Sequence, residues 1–385
     1  MPESGMLALE MLLIFGGAKL LAELFEAVRL PGIAGEMLAG VILGPSVLHW
    51  ISPSTTLTAL ADLGVMFLLF KVGLEVRSSD LMRVGRTALL VAVLGVLVPL
   101  LLGWGIMRLW GNTNIESIFV AAAMVATSAG ITAPVLERLG VLKSRAAQII
   151  LAAAVIDDVL GLLVLAVVSS LARGSINWVQ LAATAAVAIG FTALVAALGS
   201  PTMSRLIPRV HQRLSASEAP FHFAMVTLFA LAVAAIYTGV AAIVGAFLAG
   251  MALSETASQR VHTLTAGVAE LLVPFFLAGI GLHLELSTMR SMPVFWLAMA
   301  ITGAAIASKL FGCGVGALSE GRRVALQVGC GMVPRGEVGM VVAQLGLAMG
   351  IVSNTIYGVA VFMAITTTLV APLLAGWAFR KPSQA

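Results

Sequence analysis

The chain is poor in charge, because Asp, Glu, Lys and Arg make up only 10% of its 385 residues. Soluble domains carry about 25% charged residues. Two cysteines, Cys313 and Cys330, lie in or beside apolar segments and give neither a disulfide framework nor metal-ligand spacing. The sequence also lacks a nucleotide-binding glycine-rich loop, a low-complexity linker and an extended soluble tail. We therefore expect no cofactor, nucleotide or nucleic acid as a partner.

The chain is instead rich in apolar residues. They make up 60% of the chain, and the mean hydropathy is +1.06. Apolar segments recur up to the C-terminus, so a signal peptide does not account for them. The sequence predicts an all-α polytopic membrane protein with 13 transmembrane helices. Four of these spans are used below, at residues 33–50, 117–136, 239–254 and 324–350.

The basic residues predict the orientation of these spans. Most Lys and Arg residues flank the spans on one side, and only Arg108, Arg173 and Arg290 flank them on the other. The side rich in basic residues faces the cytoplasm in membrane proteins. This bias predicts a cytoplasmic C-terminus and, with an odd number of spans, an external N-terminus.

Two apolar segments recur in the same order in each half of the chain. Residues 33–44 match residues 243–254, and residues 63–75 resemble residues 271–283. The copies start an odd number of predicted spans apart, so they have opposite orientations in the membrane. Inverted repeats are typical of secondary transporters, whose substrate site lies between the repeats near the midplane. Small-residue packing patterns that recur by chance are the alternative interpretation.

The repeat also pairs two spans that contain helix breakers. Residues 121–134 correspond to residues 328–339, and both segments place Gly, Pro, Ser or Thr at mid-span. Proline costs about 3 kcal/mol inside a helix and glycine about 1 kcal/mol. Interrupted helices free backbone groups to face a cavity. Arg335 and Glu337 could compensate the ends of the half-helices at the second break, or pair with each other.

Two adjacent carboxylates, Asp157 and Asp158, lie inside the apolar stretch 149–168. A charge at the bilayer centre is costly and marks an ion or proton pathway by default. Neighbours on a helix point about 100° apart, so the two should have different roles. We expect Lys309 to pair with one of them and the other to bind the transported ion. Thr127, Ser128 and freed carbonyls would supply further oxygen ligands.

The aspartate pair has two other interpretations. Asp157, Asp158 and Lys309 could form an ion pair that only holds helices together. An intramembrane aspartyl protease needs two aspartates that face each other and share a proton. Asp157 and Asp158 diverge on one helix, and the sequence offers no other spanning aspartate. We therefore expect the chain not to be an enzyme.

Four segments together resemble the NapA-type bacterial sodium/proton antiporters of the monovalent cation/proton antiporter superfamily. They are Ala126–Thr132, Ala154–Gly161, Lys309 and Pro334–Gly339. The resemblance extends over essentially the whole chain. It implies inverted-topology repeats with two crossed, interrupted helices at the ion site. It also implies a homodimer in the bacterial cytoplasmic (inner) membrane, surrounded by lipid, that serves pH homeostasis.

The resemblance implies a role for each motif residue. Asp158 would be the main ion- and proton-binding carboxylate, and Asp157 would pair with Lys309 in the proton-loaded or resting state. Sodium would be held by Asp158, Asp157, Thr127 and Ser128. Pro334, Arg335 and Glu337 would support the second helix break.

The resemblance also implies a division of the chain. Residues 1–86 and 217–291 would form a dimer or scaffold domain, and residues 87–176 and 292–385 a mobile core, as in an elevator mechanism. Residues 177–216 would be a linker helix and cytoplasmic loop.

The predicted function is therefore exchange of protons for sodium or lithium by alternating access. An aspartate at position 157 places the chain with the electrogenic members of the family. A potassium/proton exchanger and an organic-anion symporter of the same fold stay open as alternatives.

Overall fold

A computed structural model describes residues 3–28, 30–77, 83–172, 178–213, 218–283, 291–335 and 337–380. Within these ranges the chain is entirely helical, apart from turns and short extended connections. Fifteen α-helices and one 3-10 helix, Leu318–Glu320, are present in the described part.

The first seven helices include the two adjacent aspartates and the first helix break. They are α1 (Glu3–Ala27), α2 (Gly32–Leu43), α3 (Thr55–Glu75), α4 (Gly85–Leu109), α5 (Asn114–Ala123), α6 (Ala129–Arg138) and α7 (Arg145–Ala172). The other eight are α8 (Trp178–Arg213), α9 (Ala219–Tyr237), α10 (Ala242–Leu253), α11 (Gln259–Leu282), α12 (Met292–Gly316), α13 (Arg322–Gly331), α14 (Glu337–Ala348) and α15 (Asn354–Phe379).

Nine helices of the described chain are long and apolar enough to cross a membrane. They are α1, α3, α4, α7, α8, α9, α11, α12 and α15. The prediction of an all-helical, multi-pass membrane protein is therefore confirmed.

The remaining four predicted spans differ from single full-length helices. Where the sequence predicts spans at 33–50 and 239–254, the structure has α2 and α10, each of 12 residues. At 1.5 Å per residue, such a helix is about 18 Å long, less than the ~30 Å hydrocarbon core. The predicted spans at 117–136 and 324–350 are each divided into two helices. The number of membrane crossings thus stays a prediction.

The helices pack in two groups. In the first, α2 packs on α1 and α11, α3 packs on α10 and α11, and α9 packs on α10. In the second, α4 packs on α5, α7 and α12, while α12 also packs on α13 and α15. The groups meet where α3 contacts α6 and where α2 contacts α15. Their assignment as a dimer domain and a mobile core stays a prediction.

Glycines at the helix crossings of the first group follow the sequence repeat. A Cβ on Gly40 of α2 would meet the Ala278 carbonyl of α11, and a Cβ on its repeat mate Gly250 would meet the Phe70 carbonyl of α3. Small residues of this kind let two backbones approach closely. The matched segments of the two halves therefore make equivalent contacts.

The same equivalence holds at two further pairs of glycines. Gly35 lies against the Leu21 carbonyl, and its mate Gly245 lies against the Leu231 carbonyl. The second sequence match pairs Gly73 with Gly281. Gly73 lies against the Phe247 carbonyl, and Gly281 lies against the Met37 carbonyl. Chance recurrence of small residues would not also place equivalent carbonyl groups against the matched glycines of the two halves.

Gly40→Ala should lower the free energy of unfolding by about 1–3 kcal/mol, the usual cost of forcing a methyl group into a packed site. A matched control is Gly267→Ala on α11, where a Cβ meets nothing within 4 Å. That change should be neutral or stabilising by up to about 1 kcal/mol, because alanine is the better helix former. Thermal unfolding in detergent measures both. Equal melting temperatures for the two variants would contradict the close α2–α11 crossing.

Candidate functional site

Helix α7 carries both aspartates inside the second group of helices. Asp157 is completely buried and Asp158 is 4% exposed. Apolar residues surround them along the chain from Ile149 to Val168, in a helix that is long and apolar enough to cross a membrane. Two carboxylates are therefore held at mid-helix, where each must be neutralised, paired or hydrogen-bonded.

Lys309 on α12 provides the opposite charge. Its Nζ atom lies 3.2 Å from Oδ2 and 3.4 Å from Oδ1 of Asp157, and both side chains are fully buried. Of the two aspartates, Asp157 is thus the one that pairs with the lysine. Gly95 on α4 makes room for the pair, since a Cβ there would lie 3.1 Å from Lys309 Nζ and 2.8 Å from Cys313 Sγ.

The first helix break supplies a second bond to the same carboxylate. Helix α5 ends at Ala123 and α6 begins at Ala129, so the backbone between them is not helical. The freed N–H of Thr127 donates to Asp157 Oδ2 at 2.8 Å. The interruption therefore places a backbone donor where the buried carboxylate needs one, as a continuous helix could not.

The second break lies against the first. Helix α13 ends at Gly331, and Pro334, which has no N–H, follows in the connection to α14. The Ser128 N–H donates to the Pro334 carbonyl at 2.9 Å. The Thr132 hydroxyl donates to the Gly331 carbonyl at 2.8 Å. The two interrupted segments are thus hydrogen-bonded directly to each other.

Arg335 supports the second break from inside the protein. Its side chain is fully buried, and its guanidinium donates to the Ala305 carbonyl at 3.2 Å and to the Met332 carbonyl at 3.5 Å. Met332 caps the C-terminal end of α13, where the helix dipole is negative. The arginine therefore compensates a half-helix end. The side chain of Glu337 lies outside the described residues, so its pairing with Arg335 stays a prediction.

The oxygen atoms near the break suit a small hard cation. The Thr127 hydroxyl oxygen is buried and has no hydrogen-bond partner among the described residues. No group of three or more His, Cys, Asp and Glu side chains in the described chain could hold a metal ion. A cation at this place would therefore be bound by few carboxylates together with hydroxyl and carbonyl oxygens, which are ligands of hard cations.

A family model described as "Sodium/hydrogen exchanger, transmembrane" matches residues 11–381. The chain belongs to the sodium/hydrogen exchanger family. The resemblance to monovalent cation/proton antiporters is thereby confirmed at the level of the superfamily. The narrower assignment to the NapA type is not confirmed.

Two curated relatives illustrate the membership. The chain is 30% identical over 378 residues to the "Na(+)/H(+)-K(+) antiporter GerN" of Bacillus cereus, covering 97% of this chain and 96% of the relative. It is 33% identical over 415 residues to the "High-affinity Na(+)/H(+) antiporter NhaS3" of Synechocystis, covering 94% of this chain and 88% of the relative.

The fold matches solved structures of an archaeal exchanger. The sodium proton antiporter MjNhaP1 of Methanocaldococcus jannaschii superposes with TM-scores of 0.66 and 0.74 in two structures. These matches cover 96% and 99% of this chain at 19% sequence identity. At such low identity the likeness shows that the exchanger fold is shared, and nothing further.

Several residues around the two helix breaks have roles that the sequence did not predict. The Arg335 N–H donates to the Thr367 hydroxyl at 3.2 Å, and the Thr368 hydroxyl donates to the Arg335 carbonyl at 2.6 Å. The signal was a run of threonines, residues 366–368, inside the apolar helix α15. Gly95 had no comparable signal, because apolar helices contain many glycines that pack against nothing.

Ion pairs also tie the half-helix α6 to the first group of helices. Glu137 in its last turn lies 2.7 Å from Lys71 of α3. Arg138, the next residue, lies 2.9 Å from Glu36 of α2 and 3.5 Å from Glu26 of α1. Movement of α6 relative to the first group would therefore have to break these contacts.

Lys309→Ala should lower the free energy of unfolding by roughly 3 kcal/mol or more, because it leaves Asp157 buried without its counter-charge. Thermal unfolding in detergent measures the loss. Removal of both charges, in Asp157→Asn combined with Lys309→Ala, should recover part of it. A single variant as stable as the parent would mean that the pair does not form.

Proposed function

We propose that this chain exchanges protons for sodium or lithium across the bacterial cytoplasmic membrane by alternating access. The observation that carries the proposal is the pair of neighbouring carboxylates beside two interrupted helices. Lys309 bonds to Asp157, and the Thr127 N–H bonds to the same carboxylate. Asp158 adds a second carboxyl group at the adjacent position, 4% exposed.

Competition for one carboxyl group couples the two ion flows. A proton neutralises Asp158 covalently, whereas a cation neutralises it by coordination, so the two cannot be bound there together. Hydroxyl and carbonyl oxygens near the first break would complete the coordination of a sodium or lithium ion. Release of one ion on each side of the membrane then allows the gradient of one to drive transport of the other.

The Lys309–Asp157 pair would make the exchange electrogenic. If cation binding recruits Asp157 as well as Asp158, Lys309 loses its counter-charge and releases a proton. One proton from Asp158 and one from Lys309 then leave the site for each monovalent cation that binds there. The pair reforms when the cation departs.

The architecture would convert this competition into transport. We propose 13 membrane spans, an external N-terminus, a cytoplasmic C-terminus and inverted repeats that cross at the ion site. Equivalent glycine contacts in the two halves support the repeats. The two packing groups would be a scaffold that forms a homodimer and a core that moves against it, with the α6 ion pairs breaking and forming between them.

Two alternatives keep this fold and change the substrate. A potassium/proton exchanger would use the same carboxylate chemistry, and the name of the Bacillus cereus relative includes K(+). An organic-anion symporter would need cationic or neutral partners for its substrate, whereas Lys309 and Arg335 are both engaged in bonds within the protein. The observed contacts therefore favour a cation as substrate. An aspartyl protease is disfavoured, because Asp157 bonds to a lysine.

Asp158→Asn should abolish exchange, because the amide can neither release a proton nor supply negative charge to a cation. In proteoliposomes with an internal pH dye, a sodium pulse should move the internal pH with the parent chain and not with the variant. Lithium and potassium pulses of equal strength define the selectivity.

A variant of the exposed carboxylate Glu23→Gln serves as the control and should respond like the parent chain. A sodium response that survives Asp158→Asn would contradict the assignment of the ion site. A potassium response larger than the sodium response would support the alternative substrate.

The exchange rate should depend on membrane potential if more protons than cations move in each cycle. In vesicles clamped at set potentials, an inside-negative potential should speed the direction that carries net positive charge inward. Each elementary charge moved across 100 mV changes the driving force by about 2.3 kcal/mol. Equal initial rates at all potentials would indicate electroneutral exchange and contradict the two-proton scheme.

A further inference from the structure

A groove opens between the two packing groups at the end of the bundle where α15 ends. Its volume is about 480 Å³, and it is lined by the connection between α1 and α2, by α6 and by the last turns of α15. The groove is separate from the carboxylate site, because neither aspartate lines it.

One part of the groove is basic. Arg138 and Arg380 both line it, together with Glu26. Arg323 lies beside it, since its guanidinium donates to the Arg380 carbonyl at 3.0 Å. Arg138 is bonded to two glutamates, whereas the guanidinium of Arg380 makes no hydrogen bond or ion pair with the described residues. Its charge is therefore available to an anion in the groove.

The other part of the groove is apolar and open to the outside of the bundle. Trp377 is 59% exposed, Leu373 is 41% exposed and Leu30 is 39% exposed. Gly376 adds no side chain between them, and a Cβ there would meet nothing within 4 Å. Tryptophan is enriched at membrane interfaces, where one end of its ring is apolar and the other is wet.

We propose that this groove binds an anionic phospholipid, with the phosphate at Arg380 and an acyl chain against Leu30, Leu373 and Trp377. Basic pockets between membrane helices on the cytoplasmic side bind such head groups. Free phosphate would use the arginine and leave the apolar wall exposed. A second copy of this chain would have to bury Arg380, which has no acidic partner among the residues that the structure describes. An anionic phospholipid would pair its phosphate with the arginine and cover the apolar residues with its acyl chain.

A lipid in this position would touch both packing groups. It would contact α15 and α6 on one side and the α1–α2 connection on the other. Binding would therefore stabilise the arrangement of the groups seen here. This inference concerns binding alone and does not depend on which ion the protein exchanges.

The test measures lipid binding to the detergent-purified full chain. Thermal unfolding is followed as phosphatidylglycerol, phosphatidylcholine or inorganic phosphate is added, and native mass spectrometry counts the bound lipids. We expect phosphatidylglycerol to raise the melting temperature, and phosphatidylcholine and phosphate to leave it nearly unchanged. Arg380→Gln should weaken the apparent affinity for phosphatidylglycerol about fivefold, the factor for one basic residue near an anionic membrane surface.

A second variant fills the groove and keeps every charge. Gly376→Leu places a side chain into open space between the apolar residues, and it should weaken phosphatidylglycerol binding at least as much as Arg380→Gln. Its matched control is Gly303→Leu on α12, where a Cβ also meets nothing within 4 Å. The charge control is Arg205→Gln on the exposed face of α8. Both controls should bind lipid like the parent chain.

Three results would overturn the proposal. Parental affinity for phosphatidylglycerol in both Arg380→Gln and Gly376→Leu would mean that the lipid binds elsewhere. Protection by inorganic phosphate equal to that by phosphatidylglycerol would assign the arginine to a free anion. A change of oligomeric state in Gly376→Leu, and not in Gly303→Leu, would assign the groove to a second copy of the chain.

Discussion

The contact between Lys309 and Asp157 constrains every element around it. Both side chains are fully buried, 3.2 Å apart, on two helices that are long and apolar enough to cross a membrane. Removing two charges from water costs more than their attraction returns, unless further bonds satisfy them. The structure supplies one such bond from the Thr127 N–H, and Gly95 leaves the space that the ammonium group occupies. The pair therefore requires both an interrupted helix and a close approach of α4 to α12.

The interrupted helix leaves backbone groups without helical partners, and the second break provides hydrogen-bond partners for them. The Ser128 N–H reaches the Pro334 carbonyl, and the Thr132 hydroxyl reaches the Gly331 carbonyl. Arg335 then donates to the Met332 carbonyl at the end of α13 and to the Ala305 carbonyl of α12. In lipid no water is present to satisfy such groups, so each break depends on the other. The Thr127 N–H that bonds to Asp157 is therefore positioned by backbone contacts between the two breaks.

The half-helix α6 connects this site with the rest of the protein. It begins beside Ser128 and ends in Glu137 and Arg138, whose partners belong to the first group of helices. The groove proposed for lipid is lined by the same end of α6. The first helix break, the contacts between the helix groups and the groove proposed for lipid therefore all involve one short helix. Glycine crossings that repeat in both halves keep the first group closely packed.

The sequence by itself determined the class of protein and predicted the chemistry of its site. Low charge and recurrent apolar segments predicted a helical membrane protein, and carboxylates, a lysine and two breaks inside spans predicted an ion pathway. These signals are local, because burying charge or interrupting a helix in lipid is costly wherever it occurs. From the residues alone, either aspartate could pair with Lys309. Only the tertiary structure decided for Asp157, since that depends on how α7, α12 and the first break pack together. The short helices α2 and α10, the threonines that hold Arg335 and the space at Gly95 depended on packing in the same way.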